Sequence, residues 1–420
     1  MNTHRRFFLR NGALAVAGTA AIPSFLIRAA LAEAAQVPNG RLVVIFQRGA
    51  ADGLNVVVPY REKNYYSMRP TIAIPENKVV DLDGFFGLHP SLASFQPLFA
   101  QGHLAIVHAA GSPNMSRSHF DAQDYMESGT PGVKSTPDGW LNRALQSQDQ
   151  YNQKVLRHAQ EHTAFRALAL GAQVPRTLAG KIPALAIPNI NNFAVGGRVG
   201  QVSPAAGAFE AMYADTGDKI FHFTGEETFE AVKMLRAADP AKYKPAAGID
   251  YPNSEFGRNM AQIAQLLKAS LGVEAAFTDV GGWDTHQNQG GVDGQLSNRL
   301  RDFSDSISAF WRDLGDQAEN VTLVTMSEFG RTARQNGTGG TDHGHANAMF
   351  VLGGRVRGGK VYGRWPGLAD HQLNEGRDLA VTTDFRAVLG EVVSKSIGAN
   401  NYEMVFPGAK LNAKEFLRLV

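Results

Sequence analysis

The chain has 420 residues with 41 Lys and Arg against 39 Asp and Glu, a near-balance that excludes a nucleic-acid protein held by bulk charge. At 44% hydrophobic residues it is neither disordered nor fibrous, and it can bury a large core. It contains no cysteine, which excludes disulfides, thiolate zinc sites and cysteine nucleophiles; any metal must be held by His, Asp, Glu and neutral oxygens.

The first 32 residues read as an export signal rather than as part of the fold. Arg5-Arg6-Phe7-Phe8-Leu9-Arg10 is a twin-arginine sequence, residues 12–27 are weakly apolar, and Ala30-Leu31-Ala32 offers a small-residue cleavage site. Removing residues 1–32 takes away four Arg and no acid, so 41 basic against 39 acidic residues become 37 against 39. No later stretch is long and apolar enough to span a bilayer. The mature chain, 33–420, is therefore expected to be one domain exported through the twin-arginine machinery, periplasmic or secreted.

Residues 42–46 (LVVIF) form an apolar run without alternation, which suits a strand buried on both faces of a parallel sheet. A second run, 104–108, leads through a Gly/Ser/Pro loop to a helix starting near Ser118. Residues 173–250 are rich in Pro, Gly and Asn with weak periodicity, and read as an insert capping the sheet. A helical stretch at 259–270 precedes a third run at 273–277. An amphipathic stretch at 296–314 precedes a fourth at 321–326, and 348–352 makes a fifth. The tail from 378 to 396 reads as a final helix capped by Thr383 or Asp384. Strands alternating with helices predict an α/β fold with a mostly parallel central sheet flanked by helices.

Polar residues gather beside these runs, at the sheet edge where open α/β folds bind ligands. Asp52, in Arg48-Gly49-Ala50-Ala51-Asp52-Gly53, either places a carboxylate at that edge or makes an Asp-Gly turn. In Ser112-Pro113-Asn114-Met115-Ser116-Arg117-Ser118-His119-Phe120-Asp121, Ser118 suits an N-cap with Asp121 three residues on. A hydroxyl at a helix start, beside Arg117, also faces an anion site. Asp284 and His286, in Gly281-Gly282-Trp283-Asp284-Thr285-His286, can turn toward one metal or bond each other in a loop. The densest cluster is Ser327-Glu328-Phe329-Gly330-Arg331 with Asp342-His343-Gly344-His345, where metal binding or a carboxylate-oriented catalytic His is favoured. His89, His103, His108, His158, His162, His222 and His371 have no such company and read as structural.

The ordered motifs FQRGAADGLNVVVPY, SRSHFDAQDYMESG, GGWDTHQNQ, SEFGRTARQNGTGGTDHGHANAMFVLGG and TTDFR behind a twin-arginine signal resemble the secreted proteins of domain-of-unknown-function family 1501. That family is in turn similar, more remotely, to the alkaline phosphatase and sulfatase superfamily. The resemblance implies metals at the carboxyl edge of the sheet. Asp52 would match a metal aspartate and Ser118, or less closely Ser116, the nucleophile. Asp284 and His286 would match the Asp/His pair of one metal, with His343 or His345 as its last His. Where the superfamily has Asp-His-Gly after the fourth strand, this chain has Glu328-Phe329-Gly330, so a second metal would lose a ligand.

These features point to a metal-dependent hydrolase of phosphate or sulfate esters, with one divalent, zinc-like ion on Asp284, His286 and His343 or His345. Arg117 and Arg331 would hold the anionic substrate's oxygens and Asp342 would orient a ligand His. An exported binding or assembly factor without chemistry, working with a companion exported protein, is the alternative. A carbohydrate-active protein would need paired carboxylates such as Glu328 and Asp342, and nothing selects them.

Overall fold

The computed structural model describes residues 40–156, 162–190, 231, 234, 235 and 243–420. The signal expected at 1–32 lies outside them, as does most of the stretch read as an insert. Among the described residues nine strands make the main sheet: β1 (Arg41–Gln47), β2 (Leu104–Gly111), β3 (Ala167–Leu170), β4 (Leu185–Ile187), β5 (Ala275–Val280), β6 (Val321–Met326), β7 (Asn347–Gly353), β8 (Lys360–Tyr362) and β9 (Thr383–Asp384). Their order is β8–β2–β7–β6–β1–β5–β3–β4, with β9 beside β2. Every neighbouring pair is parallel except those made by β7, which runs against both β2 and β6. The sheet is thus mixed and mostly parallel.

The unalternating run at the start of the fold is explained by its place. β1 is central, with Leu42 opposite Ala275 on one side and Thr322 on the other. Val43 and Ile45 face one apolar core, Leu42, Val44 and Phe46 another, and all five are buried. Five longer helices are α1 (His119–Ser128), α2 (Trp140–Leu156), α3 (Glu255–Lys268), α4 (Gln295–Leu314) and α5 (Phe385–Ile397). α3 and α4 cover the Val43 face through Met260, Leu267, Leu300 and Phe303, and α2 and α5 cover the other through Trp140, Leu141, Phe385 and Val392. No helix among the described residues is long and apolar enough to cross a membrane.

Two boundaries differ from the sequence reading. The third run begins at Ala275 and extends to Val280, because pairing with β1 continues to Gln47. The tail helix begins at Phe385, capped by the Asp384 carboxylate on the Arg386 amide, because Thr383 and Asp384 are first used as a strand along Ala110 and Gly111. Within 173–190, Leu185–Ile187 adds the edge strand β4 to the main sheet.

The reversed strand β7 is what positions the site. β1, β2, β5 and β6 all end at one edge of the sheet, and β7 begins there. The residues after four strands and those before the fifth therefore meet.

Candidate metal centre

Four side chains converge at that edge from three connections. His119 opens α1 after β2, Asp284 and His286 follow β5, and His343 precedes β7. His119, Asp284 and His343 each present one potential ligand atom, all within 4.8 Å of one another. His343 Nε2 lies 3.0 Å from His119 Nε2 and 3.0 Å from His286 Nε2. Asp284 Oδ1 lies 3.0 Å from His286 Nε2 and 3.3 Å from His343 Nε2, and Oδ2 lies 3.5 Å from His119 Nε2. The side chains are 25–43% exposed, so the cluster is open to a solute.

What lies behind each imidazole fixes its proton. His119 Nδ1 faces Glu328 Oε1 at 2.7 Å, His286 Nδ1 faces Asp342 Oδ1 at 3.1 Å, and His343 Nδ1 faces the Arg117 carbonyl at 2.9 Å. An ionised carboxylate and a carbonyl only accept, so each Nδ1 carries the hydrogen and each Nε2 is left with a lone pair. The lone pairs of His119 and His286 are thereby both aimed at that of His343, beside a carboxylate. Such an arrangement repels itself unless a cation or added protons sit between the donors, and orientation of each His by an oxygen behind it is the habit of metal ligands.

The donor set fits zinc. Three imidazole nitrogens and one carboxylate oxygen are its usual ligands where thiolates are absent. Ligand atoms about 2.0–2.1 Å from one tetrahedral ion lie about 3.3 Å apart, and the five spacings here, two through Asp284 Oδ1 and one through its Oδ2, run from 3.0 to 3.5 Å.

Glu328 is buried, and its Oε1 also accepts from Gln123 Nε2 at 2.9 Å and from the Gly49 amide at 2.8 Å. Gly49 has φ +116°, and a Cβ there would meet the Asp284 amide nitrogen at 3.0 Å, so glycine lets the two loops close on each other. The Glu328 bond holds the His119 imidazole above its usual pKa against the effect of burial. Burial opposes the charged forms of Asp284, Glu328 and Asp342, and is outweighed by Arg331 at the first, His119 and Gln123 at the second, and Asn336 and His286 at the third. All three stay below the usual carboxylate range. Burial and the neighbouring His119 lower His343, which favours its neutral form.

The remaining residues singled out in the sequence take other places. Asp52 is fully buried away from the cluster. Arg69 grips its carboxylate at 2.6 and 2.9 Å, and Gln289 donates to it at 2.7 Å, so no oxygen is directed at the ligand group. His345 is turned inward, with Nε2 on the Ser112 carbonyl at 2.8 Å. Glu328 and Asp342 stand behind His119 and His286. Arg331 is buried and bonds Asp284 Oδ1 at 2.6 Å, and its Nη2 meets the Thr341 carbonyl. The Arg117 guanidinium is directed to Asp378 and Glu375 rather than into the cluster. Ser118 is an exposed N-cap whose hydroxyl accepts from the Asp121 amide, and Ser116 Oγ accepts from the Ser118 amide. Phe329 lies against the rings of His119 and His343, with centroids 5.0 and 5.1 Å away, and walls one side of the cluster.

His119 was assigned no role in the sequence, where its segment read as a helix cap. The available signal was His119 with Gln123 four residues on, one helical turn that presents both side chains to Glu328. Of the histidines read as structural, His89 and His108 are buried and bonded to the Gly291 and Val57 carbonyls; His158 and His222 lie outside the described residues.

The family model described as protein of unknown function (DUF1501) matches residues 39–403. The chain belongs to this family. No curated protein matches the sequence. Among solved structures, the C-terminal periplasmic domain of EcEptC from Escherichia coli is 10% identical, with 89% of this chain and 88% of that one covered and a TM-score of 0.38. The PsFucS1 sulfatase from Pseudoalteromonas sp. is 13% identical over 81% of this DUF1501 chain and 68% of its own, with a TM-score of 0.34. Wild-type alkaline phosphatase PafA is 10% identical over 70% and 64%, with a TM-score of 0.31. Likeness at this level says nothing about the ions or substrate of this chain.

Proposed function

We propose that the protein is an exported metal-dependent hydrolase of phosphate or sulfate esters that works with one divalent ion, zinc by its donor set. The observation that carries this reading is the convergence of His119, Asp284 and His343, with His286 Nε2 against His343 and Asp284, each imidazole locked by an oxygen behind it. A zinc ion held by His119, Asp284, His286 and His343 would supply Lewis acidity toward an ester oxygen.

The chain's own residues do the rest. Glu328, Asp342 and the Arg117 carbonyl keep the Nδ1 protons in place. Arg331 fixes Asp284 from a buried position, and Phe329 excludes water from one side of the cluster. With Asp52 bound to Arg69, one group of metal-capable side chains remains among the described residues, which supports a single-ion centre. Water, rather than the exposed capping hydroxyl of Ser118, is the attacking group in this reading. Twin-arginine export, argued from Arg5 and Arg6, would deliver the protein already folded.

The test is hydrolysis of 4-nitrophenyl phosphate, methyl 4-nitrophenyl phosphate and 4-nitrophenyl sulfate by zinc-loaded and chelator-treated protein. Zinc-dependent turnover of at least one ester, abolished by His343→Ala, is expected. No turnover of any of them by protein that holds its ion would sink the hydrolase reading and leave a binding or assembly factor on this fold.

A further inference from the structure

Around the converging ligands the charges are already matched. Asp284, Glu328 and Asp342 stand within hydrogen-bond reach of the imidazoles, against the single guanidinium of Arg331. A divalent cation would bring that group to neutrality. The next layer is neutral as well. Arg117 is paired with Asp378 at 2.5 Å and Glu375 at 2.6 Å, while Arg377 bonds the His343 carbonyl at 2.9 Å and lies 3.8 Å from Asp378. Arg48, on the far side of Glu328, is engaged by Glu127 and Asp279. Arg299 lies against the Gly282 backbone and bonds none of the cluster side chains. Among the described residues, then, no guanidinium or ammonium bonded to the cluster is left for a second substrate charge. An uncompensated charge in a partly buried site is costly, because the desolvation it suffers is not repaid.

Resting on the hydrolase reading above, we propose that the centre prefers a singly charged tetrahedral ester, a phosphodiester or a sulfate monoester, over a doubly charged phosphate monoester. Glu375 is the gate to that preference. It is half exposed and shares with the buried Asp378 the guanidinium of Arg117, the residue whose backbone carbonyl holds His343, so its removal frees part of that guanidinium without touching a ligand.

The test is calorimetric titration of zinc-loaded protein with three non-hydrolysable probes at about pH 9, well above the second ionisation of a phosphoryl group at about 6. Phenylphosphonate carries two charges, whereas its monomethyl ester and benzenesulfonate each carry one. The wild type is expected to bind at least one singly charged probe about tenfold more tightly than phenylphosphonate. The methyl ester and the sulfonate separate a diester site from a sulfate site. Glu375→Gln is expected to shift the ratio about tenfold toward phenylphosphonate. Tighter binding of phenylphosphonate by the wild type overturns this inference alone and leaves the hydrolase standing. A ratio unmoved by Glu375→Gln overturns the role of Arg117 and Glu375. Failure of all three probes to bind protein that holds its ion overturns the hydrolase reading, and this inference with it.

Discussion

Glu328 Oε1 accepts from a His119 ring nitrogen, the Gln123 amide and the Gly49 backbone, and only the first of these belongs to the centre. Its influence on an ion is therefore exerted through His119. Glu328→Ala should weaken zinc binding 10–100-fold while leaving all four ligands in place, as read by competition with a fluorescent chelator. Unchanged affinity would mean that His119 is oriented by something else. Asp52 is a contrasting carboxylate. It forms a buried bidentate pair with Arg69, so its loss strands a charge in the core. Asp52→Ala should cost about 3–5 kcal/mol of stability in denaturant unfolding, with zinc stoichiometry retained in the folded fraction. Loss of the ion without loss of stability would return Asp52 to the ligand set. In the sequence both carboxylates sat beside apolar runs at one sheet edge. What separated them was a partner, Arg69, contributed from 17 residues along the chain.

At the scale of elements, the antiparallel course of β7 decides which histidine reaches the edge. His343 and His345 both precede this strand, but His343 bridges back to the Arg117 carbonyl and faces the cluster, while His345 is drawn to Ser112. The spacing of two histidines in DHGH could not choose between them, because the choice depends on pairing across strands distant in sequence. Gly344, between the two, permits the crossing: a Cβ there would lie 2.3 Å from the Arg331 carbonyl. Gly344→Ala should therefore push this segment from the 330–331 backbone and reduce zinc affinity at least tenfold, with the far-ultraviolet spectrum preserved. Wild-type affinity in a folded variant would show that the contact yields without moving His343. The strands themselves were legible where they were long and apolar, as at β1 and β6. They were missed where they were short, as at β3 and β4, since a run of four or fewer residues gives no period to read.

For the whole molecule, the α/β class followed from the alternation of apolar runs and amphipathic stretches. The site followed only in part, because three connections far apart in sequence must meet and no one of them announces the others. Stability should carry a mark of this tightly packed interior. His108 is buried against Phe86 and Trp365, its Nε2 on the Val57 carbonyl and its Nδ1 accepting from the Ala109 amide, and burial lowers its pKa to about 4. The unfolded chain takes up that proton near 6.5 and the folded one does not, so this contribution is full above 6.5 and fades as pH falls toward 4. It amounts to about 3 kcal/mol by order of magnitude. Asp149 works in another window. Its burial is outweighed by His162 and Arg166, its pKa lies at about 2, and it loses its contribution only as pH falls below about 4. Urea midpoints of metal-free protein should thus drop between pH 6.5 and 4, and less steeply in His108→Gln. Equal slopes in the two proteins would refute the assignment to His108.

The bound ion is tested by the metal content of purified protein after equilibration with zinc, for the wild type beside His119→Ala/His343→Ala. One ion per chain in the wild type, lost in a folded double variant, is the predicted result. A wild type without bound metal, or a double variant that binds as much, would contradict it.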